Sequence, residues 1–345
     1  MDDLEIRVID PFDEAQLRAW VEVYRLAEEC ERPFATPWAY EELRAQVQAP
    51  PVARELVSLV GVLGGRVVAT GGLGLNLKDN LDTADVLVHT HPDEHRKGFA
   101  RRLLAWLENE AAARGRSVAV ASLDYPYASG PAGGGAPNVE LFRSAGYTPA
   151  LEEVQRSLAV PVDEALLEEL AAECRPHHGD YSFASWVGHC PDEHVESYGR
   201  LIGTLVTEAP SGDLVVEEEV YDAARVRHEE ELSRQSGRSR YVTVALDRTG
   251  EVVAYTEIVV PRHDPGKAFQ WGTLVHPAHR GHRLGLAVKV ANQAALQRQH
   301  HDVTRVITWN AEVNDHMIEV NERLGYVPSG RSAQWQKRLA GGGPA

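Results

Sequence analysis

Two spacings of apolar residues alternate along the chain and mark out its elements. Period-two stretches rich in β-branched residues, Leu56 to Leu63, Val67 to Leu75 and Ala84 to His91, read as strands, the first two forming a hairpin turned at Gly64-Gly65. Helical spacing runs over Asp13 to Glu31, with Leu17, Val21, Tyr24 and Leu26 among its apolar positions, then over Tyr40 to Val47 and Arg101 to Arg114. Arg7 to Pro11, Val118 to Leu123 and Glu153 to Val160 complete the strands of the first half. The second half repeats the succession. It has helices over Leu166 to Cys174, Asp192 to Val206 and Glu217 to Gln235, and a strand over Tyr181 to Gly188. A hairpin follows, Arg240 to Leu246 with Val252 to Pro261, then a strand ending at Val275, another at Val303 to Trp309, and Gln334 to Arg338 closing the sheet. Gly130 to Pro137 is too glycine-rich for regular structure and reads as a flexible loop, and the tail from Gly341 to Ala345 reads as disordered.

One stretch stands out chemically. Thr273, Leu274 and Val275 run through Pro277 into a basic turn, His279-Arg280-Gly281-His282-Arg283-Leu284-Gly285, and an apolar helix begins at Leu286-Ala287. A strand that feeds a glycine turn opening a helix presents backbone N–H groups and the positive end of a helix dipole to an anion. Arg280 and Arg283 add donors suited to phosphate oxygens. No G-x-x-x-x-G-K-[ST] loop occurs, and the spacing of the dinucleotide fingerprint is missing.

The stretch resembles the acyl-CoA signature of the GNAT superfamily of CoA-dependent N-acetyltransferases, V-x-P followed by [QR]-x-x-G-x-[GA]. Val275 and Pro277 supply the strand end and Gly285-Leu286-Ala287 supply G-x-A. Two departures accompany the match: His282 stands where Gln or Arg is usual, and the turn is two residues longer. Asn310, Asn314, Met317 and Asn321, then Leu324-Gly325-Tyr326, are similar to the block that follows the family's fifth strand, where an asparagine bonds the pantetheine arm. The first half carries the same modules. His95-Arg96-Lys97-Gly98-Phe99-Ala100 mirrors His282 to Ala287, with Gly98 lying 187 residues before Gly285, and Asn138, Leu141 and Phe142 precede Ala145-Gly146-Tyr147. The chain resembles a tandem GNAT protein over nearly all its length.

The resemblance implies an α/β (α+β) fold of two GNAT-type domains, each a mixed, largely antiparallel sheet flanked by helices. The expected boundaries are 1–160, structural or degenerate, and 161–340, holding the acyl-CoA site. It implies acetyl-CoA as donor, with Leu274, Val275, Arg280, Gly281, His282, Arg283, Leu284, Gly285, Leu286, Ala287, Asn310, Asn314 and Asn321 around it. The reaction expected is transfer of acetyl to a primary amine of a small cationic molecule. The alternatives are a longer acyl donor or a non-catalytic acyl-CoA-binding, regulatory protein. A tyrosine acid usually sits four residues before the Gly of the Gly-aromatic pair, and Asn321 and Phe142 occupy those positions here. Glu257, a carboxylate inside an otherwise apolar strand, is the base candidate, because such a group is costly unless used or paired; Thr273 faces the same cleft.

Composition narrows the remaining choices. The 345 residues suit two domains, and 43% apolar with 25% charged residues is ordinary for a globular protein. A net charge of −16 disfavours nucleic acid and anionic membrane and suits a cationic amine. No apolar run reaches the roughly 18 residues of a membrane span, and Met1 to Glu5 does not read as a signal peptide. Three cysteines fit a reducing, cytoplasmic setting without disulfides. Cys174, His177, Cys190 and His194 have zinc-like spacings, but the strand expected between the two pairs would hold them apart, so no metal is expected. The partners expected are a small-molecule amine and, as an allowed assembly, a homodimer.

Overall fold

The computed structural model describes residues 4–339; the expected disordered tail at 341–345 lies outside them. The chain divides into two compact units. Unit 1 comprises Met1–Glu152, Gly212–Val215 and Gly330–Ala345, and unit 2 comprises Glu153–Ser211 and Val216–Ser329.

Unit 1 contains β1 (Glu5–Val8), α1 (Glu14–Glu29), α2 (Tyr40–Gln48), β2 (Arg54–Leu63), β3 (Arg66–Asn76) and β4 (Thr83–Thr90). It continues with α3 (Phe99–Ala113), β5 (Val118–Tyr125) and α4 (Pro137–Ser144). The first half ends with β6 (Thr148–Ala159), and the second opens with α5 (Glu164–Cys174), β7 (Ser182–Val187), α6 (Val195–Gly203), α7 (Leu205–Glu208) and α8 (Ala223–Gln235). Then come β8 (Arg238–Leu246), β9 (Val252–Pro261), β10 (Lys267–Val275), α9 (Leu284–Gln299), β11 (Arg305–Ala311), α10 (Asp315–Leu324) and β12 (Val327–Arg338).

Each unit is a mixed α/β layer around a largely antiparallel sheet. In unit 1 the strands run β1-β2-β3-β4-β5-β12, antiparallel except for β4 with β5. In unit 2 the order is β7-β8-β9-β10-β11-β6, antiparallel except for β10 with β11. The last strand of each sheet therefore comes from the other half of the sequence, which departs from the expected boundary at residue 160. Glu153–Ala159 pairs with β11 in unit 2, and Arg331–Arg338 pairs with β5 in unit 1. Side-chain volume accounts for the second pairing. Trp335, 1% exposed, fills the unit 1 core with Leu103, Leu107, Phe142 and Tyr147.

The expected helix over Glu217–Gln235 is shorter. Glu217 to Asp222 is irregular, and α8 starts at Ala223, where the Asp222 carboxylate caps it by accepting from Arg225 N. Three consecutive carboxylates at 217–219 do not supply a burying face, so the helix begins at its cap. The loop before α4 is a series of tight turns with Gly130, Gly133 and Gly135 at positive φ, held by the Tyr125 hydroxyl donating to Pro131 O at 2.6 Å. Among the described residues no helix is long and apolar enough to cross a membrane.

Helix α9 is packed on most of its circumference, and one of its buried residues is a lysine. Lys289 is 2% exposed, with its ammonium 5.5 Å from the Tyr326 ring centroid. Burial disfavours the charged amine and pushes its pKa down to about 7. Between pH 7 and the ordinary lysine value of 10.5 the folded state thus binds fewer protons than the unfolded chain. Stability rises with pH across that window and is lowest below it.

Two outcomes are expected. Trp335→Ala lowers stability by about 3–5 kcal/mol through the cavity it leaves, read as an earlier thermal unfolding transition. Lys289→Met raises the melting temperature more below pH 7 than at about pH 10; equal gains at both pH values would show that the lysine is not titrating as described.

Candidate functional site: a parted parallel strand pair above a basic turn

The parallel ladder between β10 and β11 has three rungs, Lys267↔Arg305, Ala268↔Val306 and Phe269↔Ile307. Beyond them the strands part. On β10 a bulge falls between Gln270 and Thr273, where three residue steps face two on β9. Gly272 makes it possible, because a Cβ there would come within 2.3 Å of the Tyr255 hydroxyl. Gln270 Nε2 braces the bulge by donating to Glu257 O (2.8 Å) and Thr256 Oγ1 (3.0 Å). The Thr308 hydroxyl donates to Gln270 O (3.0 Å) at the point of divergence. Past it, the facing edges of Thr273–Val275 and Thr308–Ala311 no longer bond each other, leaving backbone groups to be satisfied by something lying between them.

The basic turn follows directly. Pro277–His279 forms one 3-10 turn, whose first N–H groups are covered by the His276 imidazole accepting from Ala278 N at 3.3 Å. Arg280 is extended, Gly281 has φ +88°, and Arg283 enters the left-handed region at φ +53° as the residue before α9. Unit 1 has the same construction: His91 accepts from Asp93 N at 3.3 Å, and Arg96 (φ +62°) and Gly98 (φ +83°) hold the two left-handed positions. His91 and Pro92 thus correspond to His276 and Pro277, an offset of 276 − 91 = 185.

This register corrects the expected alignment by two residues. Gly98 corresponds to Arg283, not Gly285, and the turns are equally long. The pattern [QR]-x-x-G-x-[GA] then falls on Arg280-Gly281-His282-Arg283-Leu284-Gly285, so Arg280, not His282, fills its first position. The departure is Arg283, an arginine where glycine is usual, kept in a conformation that L residues seldom adopt. Among the described residues no protein acceptor meets the N–H groups of Leu284, Gly285 and Leu286, and Ala287 N is the first to bond within α9. Three free donors at a helix start are what a pyrophosphate needs.

The arginines of the turn are already paired. Arg280 meets Glu208 at 2.7 Å, and Glu173 bridges Arg283 and Arg323. His282 Nδ1 lies 3.1 Å from His177 O, and His279 Nδ1 lies 3.0 Å from the Tyr181 hydroxyl. The leucines and Ala287 face the core, so only their backbone is available: Leu274 belongs to one apolar cluster, and Leu286 and Ala287 to another.

Across the cleft, Asn321 on α10 is fully buried and donates to Asn310 Oδ1 at 2.6 Å, while its own Oδ1 has no partner. A buried orphan acceptor costs about 1–3 kcal/mol and suits an amide N–H such as pantetheine carries. The donor set therefore fits an acyl-CoA. Asn314 instead caps α10, accepting from Met317 N at 3.2 Å. Counting back from the helix-ending glycines, Phe142 matches Asn321, and Asn138 matches Met317 rather than Asn314.

Glu257 differs from the free base expected of it. Only 3% exposed, it pairs with Arg240 at 2.5 Å and accepts from the Tyr198 hydroxyl at 3.2 Å. Burial and the Glu257 charge push Tyr198 well above the ordinary phenol value, keeping it a donor. Glu257 is thus a counter-ion. Thr273 Oγ1 lies 2.8 Å from Thr256 Oγ1. Cys174 and Cys190 are buried in different apolar clusters, and burial pushes the Cys190 thiol up to about 12. Among the described residues no three His, Cys, Asp or Glu side chains gather to hold a metal. The sequence pattern also left unmarked a polar group in unit 1, Glu28 with His89, whose members lie 61 positions apart and carry no local signature.

Comparison with known proteins agrees with this geometry. The model of the acetyltransferase (GNAT) family matches residues 20–125 and again 204–326. A tandem GNAT protein from the clavulanic acid biosynthesis pathway is 27% identical, with a TM-score of 0.79 over 99% of this chain and 100% of its own. A GCN5-related N-acetyltransferase from Sphaerobacter thermophilus superposes with a TM-score of 0.62 at 15% identity, covering 97% and 96% of the two chains. A putative acetyltransferase from Pyrococcus horikoshii does so at 0.54 and 13%, covering 98% and 90%. Among curated proteins none matches the sequence.

Glu257→Gln leaves Arg240 buried without its charge partner, and the expected cost is about 3–5 kcal/mol of stability. Chemical denaturation would measure it, and a variant as stable as the parent would return Glu257 to the list of free groups.

Proposed function

We propose, since the chain belongs to the acetyltransferase (GNAT) family, that unit 2 binds acetyl-CoA and passes its acetyl group to a primary amine of a small cationic molecule. The observation that carries the reading is the alignment of three unbonded N–H groups at the start of α9 with the parted edges of β10 and β11. The pyrophosphate sits on Leu284, Gly285 and Leu286 N–H, with Arg280 and Arg283 turning from Glu208 and Glu173 to its oxygens. The pantetheine arm takes the place of the missing ladder bonds, and Asn321 Oδ1 accepts from one of its amides. Acetyl-CoA supplies the activated thioester. Backbone N–H near Val275 meets the carbonyl oxygen as negative charge grows on it during attack by the amine.

Asn321 in place of a tyrosine gives the departing sulfur no phenol, so the thiolate leaves directly or takes its proton from water. A net charge of −16 favours a cationic acceptor reaching the protein.

The test is calorimetric titration of acetyl-CoA into the intact protein, beside Gly285→Glu and Ala100→Glu, the matching position of unit 1. A carboxylate at residue 285 repels phosphate from the α9 N–H groups, and at least a tenfold loss of the unit 2 binding event is expected. Binding that depends on Ala100 alone would reverse the assignment of the units, and no binding by the parent would end the enzymatic reading.

A further inference from the structure

Three charged side chains from separate elements of unit 2 meet beside the start of α9. Glu173, in the last turn of α5, accepts from Arg283 through Oε1 and from Arg323 through Oε2. Arg283 is the residue before α9 and Arg323 lies in the last turn of α10, so the partners stand 110 and 150 positions from Glu173. One carboxylate thus draws two guanidinium groups together. Like charges brought so close repel one another unless an anion lies between them. The cluster is partly open to water, with side-chain exposures of 38% for Glu173, 38% for Arg283 and 31% for Arg323. Such a carboxylate can be exchanged for another anion at small cost.

Unit 1 shows that neither the turn nor the helix end requires this cluster. Arg283 is matched there by Gly98 and, counting back from the helix-ending glycines, Arg323 is matched by Ser144. Among the described residues no helix precedes β1 to correspond to α5. The backbone at residue 283 also favours a residue without a side chain. Arg283 is held at φ +53°, where unit 1 has glycine at φ +83°. An arginine is therefore kept at a position whose conformation opposes it.

The acyl-CoA reading of unit 2, on which this inference rests, places a pyrophosphate on the N–H groups of Leu284, Gly285 and Leu286. Arg283 is the next residue back, so its guanidinium lies within one side-chain length of that group. Coenzyme A carries a second anionic group close to its pyrophosphate, the 3′-phosphate of its ribose. A phosphomonoester has close to two negative charges and three acceptor oxygens, and so answers two arginines better than one carboxylate does. We infer that Arg283 and Arg323 form a subsite for the 3′-phosphate of coenzyme A, and that Glu173 is its internal stand-in, displaced when the ligand arrives. Arg283 serves both phosphate groups of the ligand through different edges of its guanidinium. Arg323 serves the 3′-phosphate alone. The consequence is selectivity for coenzyme A over its dephospho form.

The experiment is calorimetric titration of coenzyme A and of 3′-dephospho-coenzyme A into the full chain, following the event that Gly285→Glu weakens. The parent is expected to bind coenzyme A at least tenfold more tightly than the dephospho form, about 1.4 kcal/mol. Arg323→Gln should lose most of that preference by weakening coenzyme A alone. Glu173→Gln, which removes the competing anion, should tighten coenzyme A more than the dephospho form. Should Arg323→Gln fail to fold, Arg323→Lys keeps the charge without the two-pronged fork and should show a reduced preference. Equal binding of the two ligands by the parent, or an equal loss of both in Arg323→Gln, overturns the inference and leaves the acyl-CoA reading in place. Binding of neither ligand by the parent overturns both.

Discussion

Everything distinctive in each unit depends on a parallel strand pair that stops after three rungs. Hydrogen bonding between strands is the default of a sheet, so interrupting it in a protein interior leaves donors and acceptors that must be answered. Unit 2 stabilises the interruption with the Gln270 brace and the bulge at Trp271-Gly272. Unit 1 reaches the same divergence without a bulge on β4, its pairing with β3 running unbroken from Ala84 to Thr90. The single extra residue on β10 explains why the offset between halves is 184 at Thr83 and Lys267 but 185 at the His-Pro turn.

The two openings have been furnished differently. The turn of unit 2 places Arg280 and Arg283 at the start of α9, both paired with carboxylates, so a phosphate arriving there would exchange one anion for another rather than fill a bare positive site. Exposed pairs of this kind are worth only about 0–1 kcal/mol, which makes the exchange inexpensive. In unit 1 the corresponding turn pairs Lys97 and Arg66 with the buried Glu94, while the polar groups gather farther up, at His89 and Asp124.

Sheet completion shows how packing overrides chain order. Trp335 and Ala333 fit among Leu103, Leu107 and Tyr147, and β12 therefore borders β5, while Glu153–Ala159 borders β11. Strand propensity is the same for either neighbour; complementary volume in the core is not.

By itself the sequence determined the repeat, the order of strands and helices, the two-unit α/β class and the basic turn before α9. These follow from local periodicity and glycine placement, each readable within a few residues. It also marked Glu257 as a carboxylate that must be either used or paired, and favoured use as the base. What it could not give is anything set by residues far apart in the chain. The partner of Glu257 is Arg240, one strand away, and the cap shared by His91 and His276 fixes a register that glycine counting misses by two. Only the tertiary structure decided which strand closes each sheet, where the parallel pairs part, and that Glu28 and Arg32 reach His89 and Asp124, because those contacts belong to the packed chain and leave no periodic trace in its order.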